Sequence, residues 1–437
     1  MRLGFGSPRE GGGLLRQGGG RSCKEGAARG IIGVVLWGYK MRNSINDVFM
    51  NTYHKLPVVF SRGEGARLYD TEERSYLDFT SGIAVNSLGH AHPRVVEALS
   101  AQAARLLHVC NYYDSEVTTR FAQTLVRLSG MKKVFLCNSG AEANEGAIKI
   151  ARKYSLKKYG PGRHKIVTLT GGFHGRTITT VSATGQPKFH ENFGPFTEGF
   201  QFVPPNDKDA LEAALDSKTA ALFIEPIQGE SGVIPMNSDY IKFAAGICAD
   251  KDILFMADEI QCGSGRTGSF FALSNYGVKA DVATLAKGLA AGIPVGAVLA
   301  SEKTADVLQP GDHGSTFGGN VLAAAAGIVF LETISAPGFM REIEALGAYF
   351  MEALKEAAGG EAANIRGRGL MIGCDTGCEA RGVLEACAAA ASKEKPGLLA
   401  LQAGKNTLRF LPPYVISRAD IDSGLSILGG VLKSARP

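Results

Sequence analysis

Long apolar runs are missing from this 437-residue sequence. None approaches the roughly 20 residues that span a bilayer, so no membrane partner is expected. A secretory signal is missing as well: the apolar run at 31–37 is short, is interrupted by Gly33 and has no small-residue cleavage site behind it. The eight cysteines, at 23, 110, 137, 248, 262, 374, 378 and 387, lack regular spacing and sit mostly in apolar runs, which predicts reduced thiols in a cytoplasmic protein. Cys374 and Cys378 form a close pair, but zinc needs two further ligands and only Cys387 is near, so no metal site is expected. Neither H-E-x-x-H nor G-x-S-x-G occurs, and no internal repeat is found. Net charge is absent from residues 41–437. The formal +5 falls within residues 1–40, where seven Lys or Arg face two acids, so nucleic acid is not an expected partner of the body.

Glycine is what the N-terminus has in excess. Twelve of the 56 glycines lie in the first 40 residues, in clusters without apolar periodicity. Residues 1–45 therefore read as a disordered or non-native leader, with Met41 a candidate start. Beyond it, 45% hydrophobic and 20% charged residues suit globular domains, and the length calls for more than one. We expect 46–110 to be the N-terminal segment of a small lobe, 111–335 a large domain and 336–437 a C-terminal small α+β domain.

The pattern within these segments supports that division. VVFSRGEGARLYD alternates apolar and polar residues around a glycine turn, predicting a hairpin. Helical spacing follows at VVEALSAQAARLL and SEVTTRFAQTLVRLS. From Lys133, apolar strands (KKVFLCN, HKIVTL, TAALFIEP, ILFMAD, DVATLA) alternate with helices at 139–160, 207–215 and 238–249. That is the pattern of an α/β domain whose parallel sheet is covered on both faces. In such sheets chemistry gathers at the carboxyl ends of strands, where Phe173, Glu225, Asp258 and Lys287 fall. Later come two long helices (NVLAAAAGIVFLETIS and MREIEALGAYFMEALKEAA), strands in RGRGLMIGCDT and TLRFLPPYVIS, and a last helix from Ala419.

Several residues invite chemistry but admit a plain reading. Ser139 before a long helix is a ready N-cap, and the same turn would cradle a phosphate. Asp258 and Lys287 close successive strands; an acid that pairs with a ring nitrogen and an amine that condenses with an aldehyde are parts of a pyridoxal phosphate site. Ile260 alone would be core. Glu230 and Arg409 alone would be a structural ion pair. GSGRTG at 263–268 matches G-x-G-x-x-G, but no long helix follows it, so it is a weak signal of nucleotide binding.

Taken together, NSGAEANEGAIKIAR, FHGRT, EPIQGESG, DEIQCGSGRTG, TLAKGLAAGIPVGA and HGSTFGGN, in this order, resemble the class III (ornithine-type) aminotransferases, and within them the acetylornithine branch. The resemblance runs from about Pro57 to the C-terminus. It implies the fold-type I pyridoxal 5'-phosphate-dependent transferase fold: a large domain with a mostly parallel sheet covered by helices, and a smaller α+β domain. It implies that Lys287 carries the cofactor and moves a proton, that Asp258 pairs with the ring nitrogen, and that Gln261 bonds the phenolic oxygen between a sandwich of Ile260 and Phe173. Ser139, Gly140 and Ala141 match the phosphate cup. Thr316, with Ser315 beside it, matches residues that reach a partner's site, implying a homodimer with shared active sites. Arg176 matches a carboxylate grip, Arg409 a second clamp, and Glu230 the acid that neutralises it. Tyr53 resembles a residue at the donor's carboxylate end in ornithine enzymes. Ile83 stands where those enzymes carry an aromatic residue, which favours a donor with an acylated α-amine. The implied reaction moves the δ-amino group of N2-acetyl-L-ornithine to 2-oxoglutarate in arginine biosynthesis. Ornithine, succinylornithine and 4-aminobutyrate are the alternative donors, and a catalytically silent protein of the same fold is the alternative of another class.

Overall fold

The computed structural model of the chain describes residues 48–358 and 364–435; the expected leader at 1–45 lies outside them. Residues 48–59 belong to a unit apart from the body that begins at Phe60, and most of them are exposed.

The body starts with strands β1 (Phe60–Glu64), β2 (Arg67–Asp70) and β3 (Ser75–Asp78). β1 and β2 form the expected antiparallel hairpin, turned by Gly65 at a positive φ that glycine adopts without penalty. Next come β4 (Lys133–Cys137), β5 (Lys165–Leu169), β6 (Phe200–Val203) and β7 (Thr219–Ile224), then the short ribbon β8 (Ile227–Gln228) and β9 (Ile234–Pro235). Strands β10 (Leu254–Asp258), β11 (Val282–Leu285) and β12 (Gly296–Ala300) complete the large sheet, whose order is β4-β12-β11-β10-β7-β5-β6. The last part of the chain adds β13 (Arg366–Arg368), β14 (Met371–Asp375), β15 (Gly397–Leu399), β16 (Leu401–Ala403) and β17 (Thr407–Phe410). They form the sheet β13-β14-β17-β16, except that β15 joins β1–β3 by pairing parallel to β3.

Five of the large-sheet strands (β6, β5, β7, β10 and β11) run parallel, as their continuous apolar sequences predict. The alternation assigns the faces. Leu222, Ile224, Phe255 and Ala257 pack under the helices Lys208–Ala214 and Ser238–Asp250. Ala221, Phe223, Leu254 and Met256 pack under the helix Gly140–Tyr159. β12, which no alternation in the sequence marks, departs from the rest by running antiparallel to both β11 and β4. Its connection from β11, residues 286–295, is too short for a helical crossover, so the chain turns back.

The helix Val321–Ile334 is buried nearly all round, capped by Asn320, whose Oδ1 accepts from Leu322 and Ala323 N–H. It packs against the helices Pro93–Ala103 and Glu116–Ser129, and Gly327 is a necessity there because a Cβ would lie 2.3 Å from the Phe121 ring. The helices Phe339–Ala357, Ala380–Ala389 and Arg418–Ala435 cover the sheet β13-β14-β17-β16 and β15. No single helix among the described residues is long and apolar enough to cross a membrane.

Candidate active site

Two steps beyond Phe223 and Met256, on the face that carries the helix Gly140–Tyr159, the period of a strand brings Glu225 and Asp258 to the carboxyl edge of the large sheet. Asp258 is 3% exposed, and its Oδ2 accepts from His174 Nδ1 at 2.8 Å and from Asn144 Nδ2 at 2.8 Å. Oδ1 accepts from the Ile260 N–H at 3.1 Å. His174 is itself fixed, stacked on Phe223 with ring centroids 4.4 Å apart. Glu225 accepts from the Phe173 N–H at 2.7 Å, and burial, aided by the Asp258 charge, pushes its carboxyl up to about 7. Lys287 sits at φ +45° in a 3-10 turn straight after β11. Loss of hydration lowers the proton affinity of its amine, against the pull of Glu230 and Asp258.

These groups line one cavity of about 420 Å³, together with Ser139, Gly140, Ala141, Ile260, Gln261 and Arg176. That size is within the range of roughly 300–1,000 Å³ for small-molecule sites. At one end, Ser139 caps the 20-residue helix, its Oγ accepting from Glu142 N–H at 3.2 Å, so the first-turn N–H groups and the helix dipole face the cavity. A Cβ on Gly140 would lie 2.9 Å from Ile260 Cδ1, so glycine there lets Ile260 settle against the turn. Asn138 donates to Ser315 Oγ at 3.0 Å, which ties the 315 turn to this end. Thr316 is exposed and, among the described residues, does not line the cavity of its own chain.

Arg409 on β17 reaches from the small sheet to Gln261, which lines the cavity; Arg409 and Glu230 themselves do not line it. Its Nη1 donates to Glu230 Oε1 at 2.5 Å, its Nη2 to Oε2 at 3.3 Å, and Nη1 also to Gln261 Oε1 at 2.9 Å. Burial works to raise the Glu230 carboxyl, but the Arg409 charge prevails and holds it below the usual range. Arg176 lies exposed at the cavity, its guanidinium 4.0 Å from the Phe189 ring and without an ion-pair partner among the described residues. Phe173 packs edge-on against Phe189 at 5.5 Å. Tyr53 belongs to the separate unit of 48–59 and is exposed.

The sequence places Glu225 at a strand end without a role, and gives none to Asn144, His174 or Glu259. Asn144 had a readable signal: a polar residue beside Ala143, Ala147 and Ile148 on the apolar face of a helix needs a buried partner. Glu259 points to the opposite side of the sheet from Asp258, fully buried. It accepts from Ala272 and Leu273 N–H at 2.8 and 2.9 Å, and burial pushes its carboxyl up to about 7.

The family model described as aminotransferase class-III matches residues 48–432. The acetylornithine aminotransferase of Caldanaerobacter subterraneus subsp. tengcongensis is 46% identical over 389 residues, which is 89% of this chain and 98% of the relative. That of Aquifex aeolicus is 46% identical over 88% of this chain and 99% of its own. Among solved structures, an ornithine aminotransferase from Toxoplasma gondii, described with partial occupancy of PLP at its active site, has a TM-score of 0.84 and 34% identity, covering 95% of this chain and 98% of its own. N-acetylornithine aminotransferase from Stenotrophomonas maltophilia has a TM-score of 0.76 and 35% identity, covering 90% of this chain and 98% of its own. With Lys287 and Asp258 lining one cavity of an α/β fold, and the Arg409–Glu230 pair bonded to Gln261 in its wall, the chain belongs to the aminotransferase class-III family.

Proposed function

We propose that the cavity holds pyridoxal 5'-phosphate and that the protein, as a cytoplasmic homodimer, transfers the δ-amino group of N2-acetyl-L-ornithine to 2-oxoglutarate, giving N-acetyl-L-glutamate 5-semialdehyde and L-glutamate. The observation that carries the reading is the pairing, in one cavity, of a lysine amine made less basic by burial with a carboxylate held by two side-chain donors. The donor set fits the cofactor. Asp258 suits a protonated ring nitrogen, the N-terminus of the helix Gly140–Tyr159 suits a phosphate monoester, and Ile260 and Phe173 supply apolar walls. When bound, the cofactor supplies an aldehyde for the amine and a ring that stores electrons.

The chain's own residues supply the rest. Lys287 Nζ accepts and returns the proton of the substrate carbon, which its lowered proton affinity favours. Asp258, oriented by His174 and Asn144, stabilises positive charge at the ring nitrogen. Arg176, free of an acid partner among the described residues, grips a substrate carboxylate through its planar fork. Glu230 neutralises Arg409 while the uncharged acetamide of the donor is in place; the second carboxylate of the diacid takes Glu230's position on Arg409 in the other half of the cycle. Thr316 and Ser315 act toward the partner subunit's site. The acetylornithine donor is supported by relatives of that name at 43–46% identity and by Ile83 in place of an aromatic residue.

Purified protein is mixed separately with acetylornithine, ornithine, succinylornithine and 4-aminobutyrate, and loss of the visible absorbance of the lysine-bound cofactor is followed. Acetylornithine should react fastest. Faster reaction with ornithine or 4-aminobutyrate overturns the donor, and no reaction with any amine makes the protein catalytically silent.

A further inference from the structure

Gln261 holds more of the clamp than a cofactor contact requires. Its Oε1 accepts from Arg409 Nη1 at 2.9 Å, and its Nε2 donates to Glu230 Oε1 at 3.3 Å. The amide therefore lies between a cation and an anion with its dipole matched to both. Turning it over would set NH2 against guanidinium and oxygen against carboxylate, so the network fixes its orientation. Gln261 is 5% exposed and Arg409 2%, and Arg409 Nε has no partner among the described residues. The guanidinium is thus held along one edge only, by Glu230 and Gln261. Glycine at 229 makes room for this: a Cβ there would lie 2.2 Å from Gln261 Oε1 and 2.7 Å from Nε2.

We infer that Gln261 is a positioning residue that latches the Arg409–Glu230 pair shut, so that opening the clamp to a dicarboxylate requires the Gln261 amide to let go of Arg409. The inference rests on the reading of Arg409 as a carboxylate clamp. Charge-assisted hydrogen bonds are the stronger class, and the amide makes one to each member of the pair. Without the latch the pair opens at less cost, and a diacid binds more tightly. An ordinary structural role predicts the reverse, because a loosened site binds its ligand less well. Gly229 shares the assignment, since a side chain at 229 displaces the far end of Gln261 while leaving the amide in the protein.

The test uses glutarate, a diacid with no 2-oxo group to react, titrated by calorimetry into protein loaded with pyridoxal phosphate, in wild type, Gln261→Ala, Gly229→Ala and Arg409→Ala. Wild type should bind glutarate and Arg409→Ala should lose most of that binding. Gln261→Ala and Gly229→Ala should each bind it about tenfold more tightly, the value of one charge-assisted bond. Should Gln261→Ala fail to fold, Gly229→Ala decides alone. Unchanged or weaker binding in the 261 and 229 variants, with wild-type binding dependent on Arg409, overturns the latch and leaves the clamp standing. Glutarate binding that ignores Arg409, or no glutarate binding by wild type, overturns both.

Discussion

Removing the Glu230 carboxylate exposes what the clamp costs the protein. Arg409 is 2% exposed and cannot shed its proton; its side-chain partners among the described residues are Glu230 and the Gln261 amide. In Glu230→Ala the guanidinium is left with one neutral partner. Stranding one member of a buried pair costs about 3–5 kcal/mol. The lower end applies, because the Glu230 side chain is 25% exposed and water can enter the space it vacates. A loss of about 3 kcal/mol is therefore expected in urea unfolding. A diacid should reverse it. With no Glu230 to displace, glutarate binds the variant more tightly than wild type, and at a fixed saturating concentration each tenfold gain in affinity adds about 1.4 kcal/mol of stabilisation. Urea midpoints with and without glutarate give all four values. A loss below about 0.5 kcal/mol, the range of ordinary surface substitutions, refutes the burial argument. Equal stabilisation of both proteins by glutarate refutes the assignment of Arg409 as the diacid's partner.

Four further outcomes are expected. In Lys287→Ala, borohydride reduction should no longer fix pyridoxal phosphate to the chain by mass spectrometry; a persisting adduct would place the reactive amine elsewhere. Glu259 titrates at about 7 in the fold against an ordinary value near 4.5, because burial penalises its charge; a raised pKa gives stability that is complete below about 4.5 and lost as pH rises through about 7. Urea midpoints across that window should fall less steeply in Glu259→Gln than in wild type, and equal slopes would exclude Glu259 as a source. Arg266 is 1% exposed, donates from Nη1 to the Leu370 and Pro412 carbonyls, lies over the Tyr414 ring, and has no acid partner among the described residues. Arg266→Ala should cost about 2–4 kcal/mol while Arg266→Met, which keeps the packing stem, costs less than half of that; equal losses would show that the charge matters and the stem does not. Thr316→Ala should release the cofactor more readily on dialysis although Thr316 does not line its own cavity; unchanged retention would refute its proposed role at a partner subunit's site.

What the sequence made legible follows from where the physics is local. The strands β7, β10 and β11 are apolar over nearly their whole length, so their burial on both faces and the gathering of Glu225, Asp258 and Lys287 at their ends could be read residue by residue. The helix Gly140–Tyr159 carried its own N-cap. By contrast β12 is five small and apolar residues, GAVLA, following Ile293, Pro294 and Val295, with no alternation to announce a strand. Its antiparallel direction depends on pairing with β4, some 160 residues earlier in number, from Gly296 opposite Cys137 to Ala300 opposite Lys133. The short β15 was unreadable for the same reason: it is a strand because β3 lies beside it. Long-range partners also decided the acids. Nothing local distinguishes Glu259, buried under Ala272 and Leu273, from Asp258, which faces the cavity; only the period of two assigns them to opposite sides.

The placement of the reactive amine shows why a motif is only part of a site. Lys287 stands in a turn at positive φ, and a neighbouring segment, 79–87, keeps that turn in place. Ser87 Oγ donates to the Gly288 carbonyl at 2.8 Å, and a Cβ on Gly288 would press to 3.0 Å from the Ala84 carbonyl. The same segment is bound to the residues that follow the strand carrying Arg409: Leu411 N–H donates to the Phe79 carbonyl, Ser81 Oγ to the Leu411 carbonyl at 2.6 Å, and Tyr414 N–H to the Ser87 carbonyl. Holding both connections forces Ser81, Gly82, Ile83 and Ala84 into positive φ in succession. For the residues other than glycine this costs roughly 1–2 kcal/mol each, and for β-branched Ile83 it is a genuine outlier. The fold holds it there through hydrogen bonds on both sides, to Lys287's turn and to the residues that follow β17. The strain at 81–84 therefore sits between two anchors of the site, the turn of the reactive amine and the residues that follow the clamp's strand, where surrounding contacts rather than local preference set the backbone.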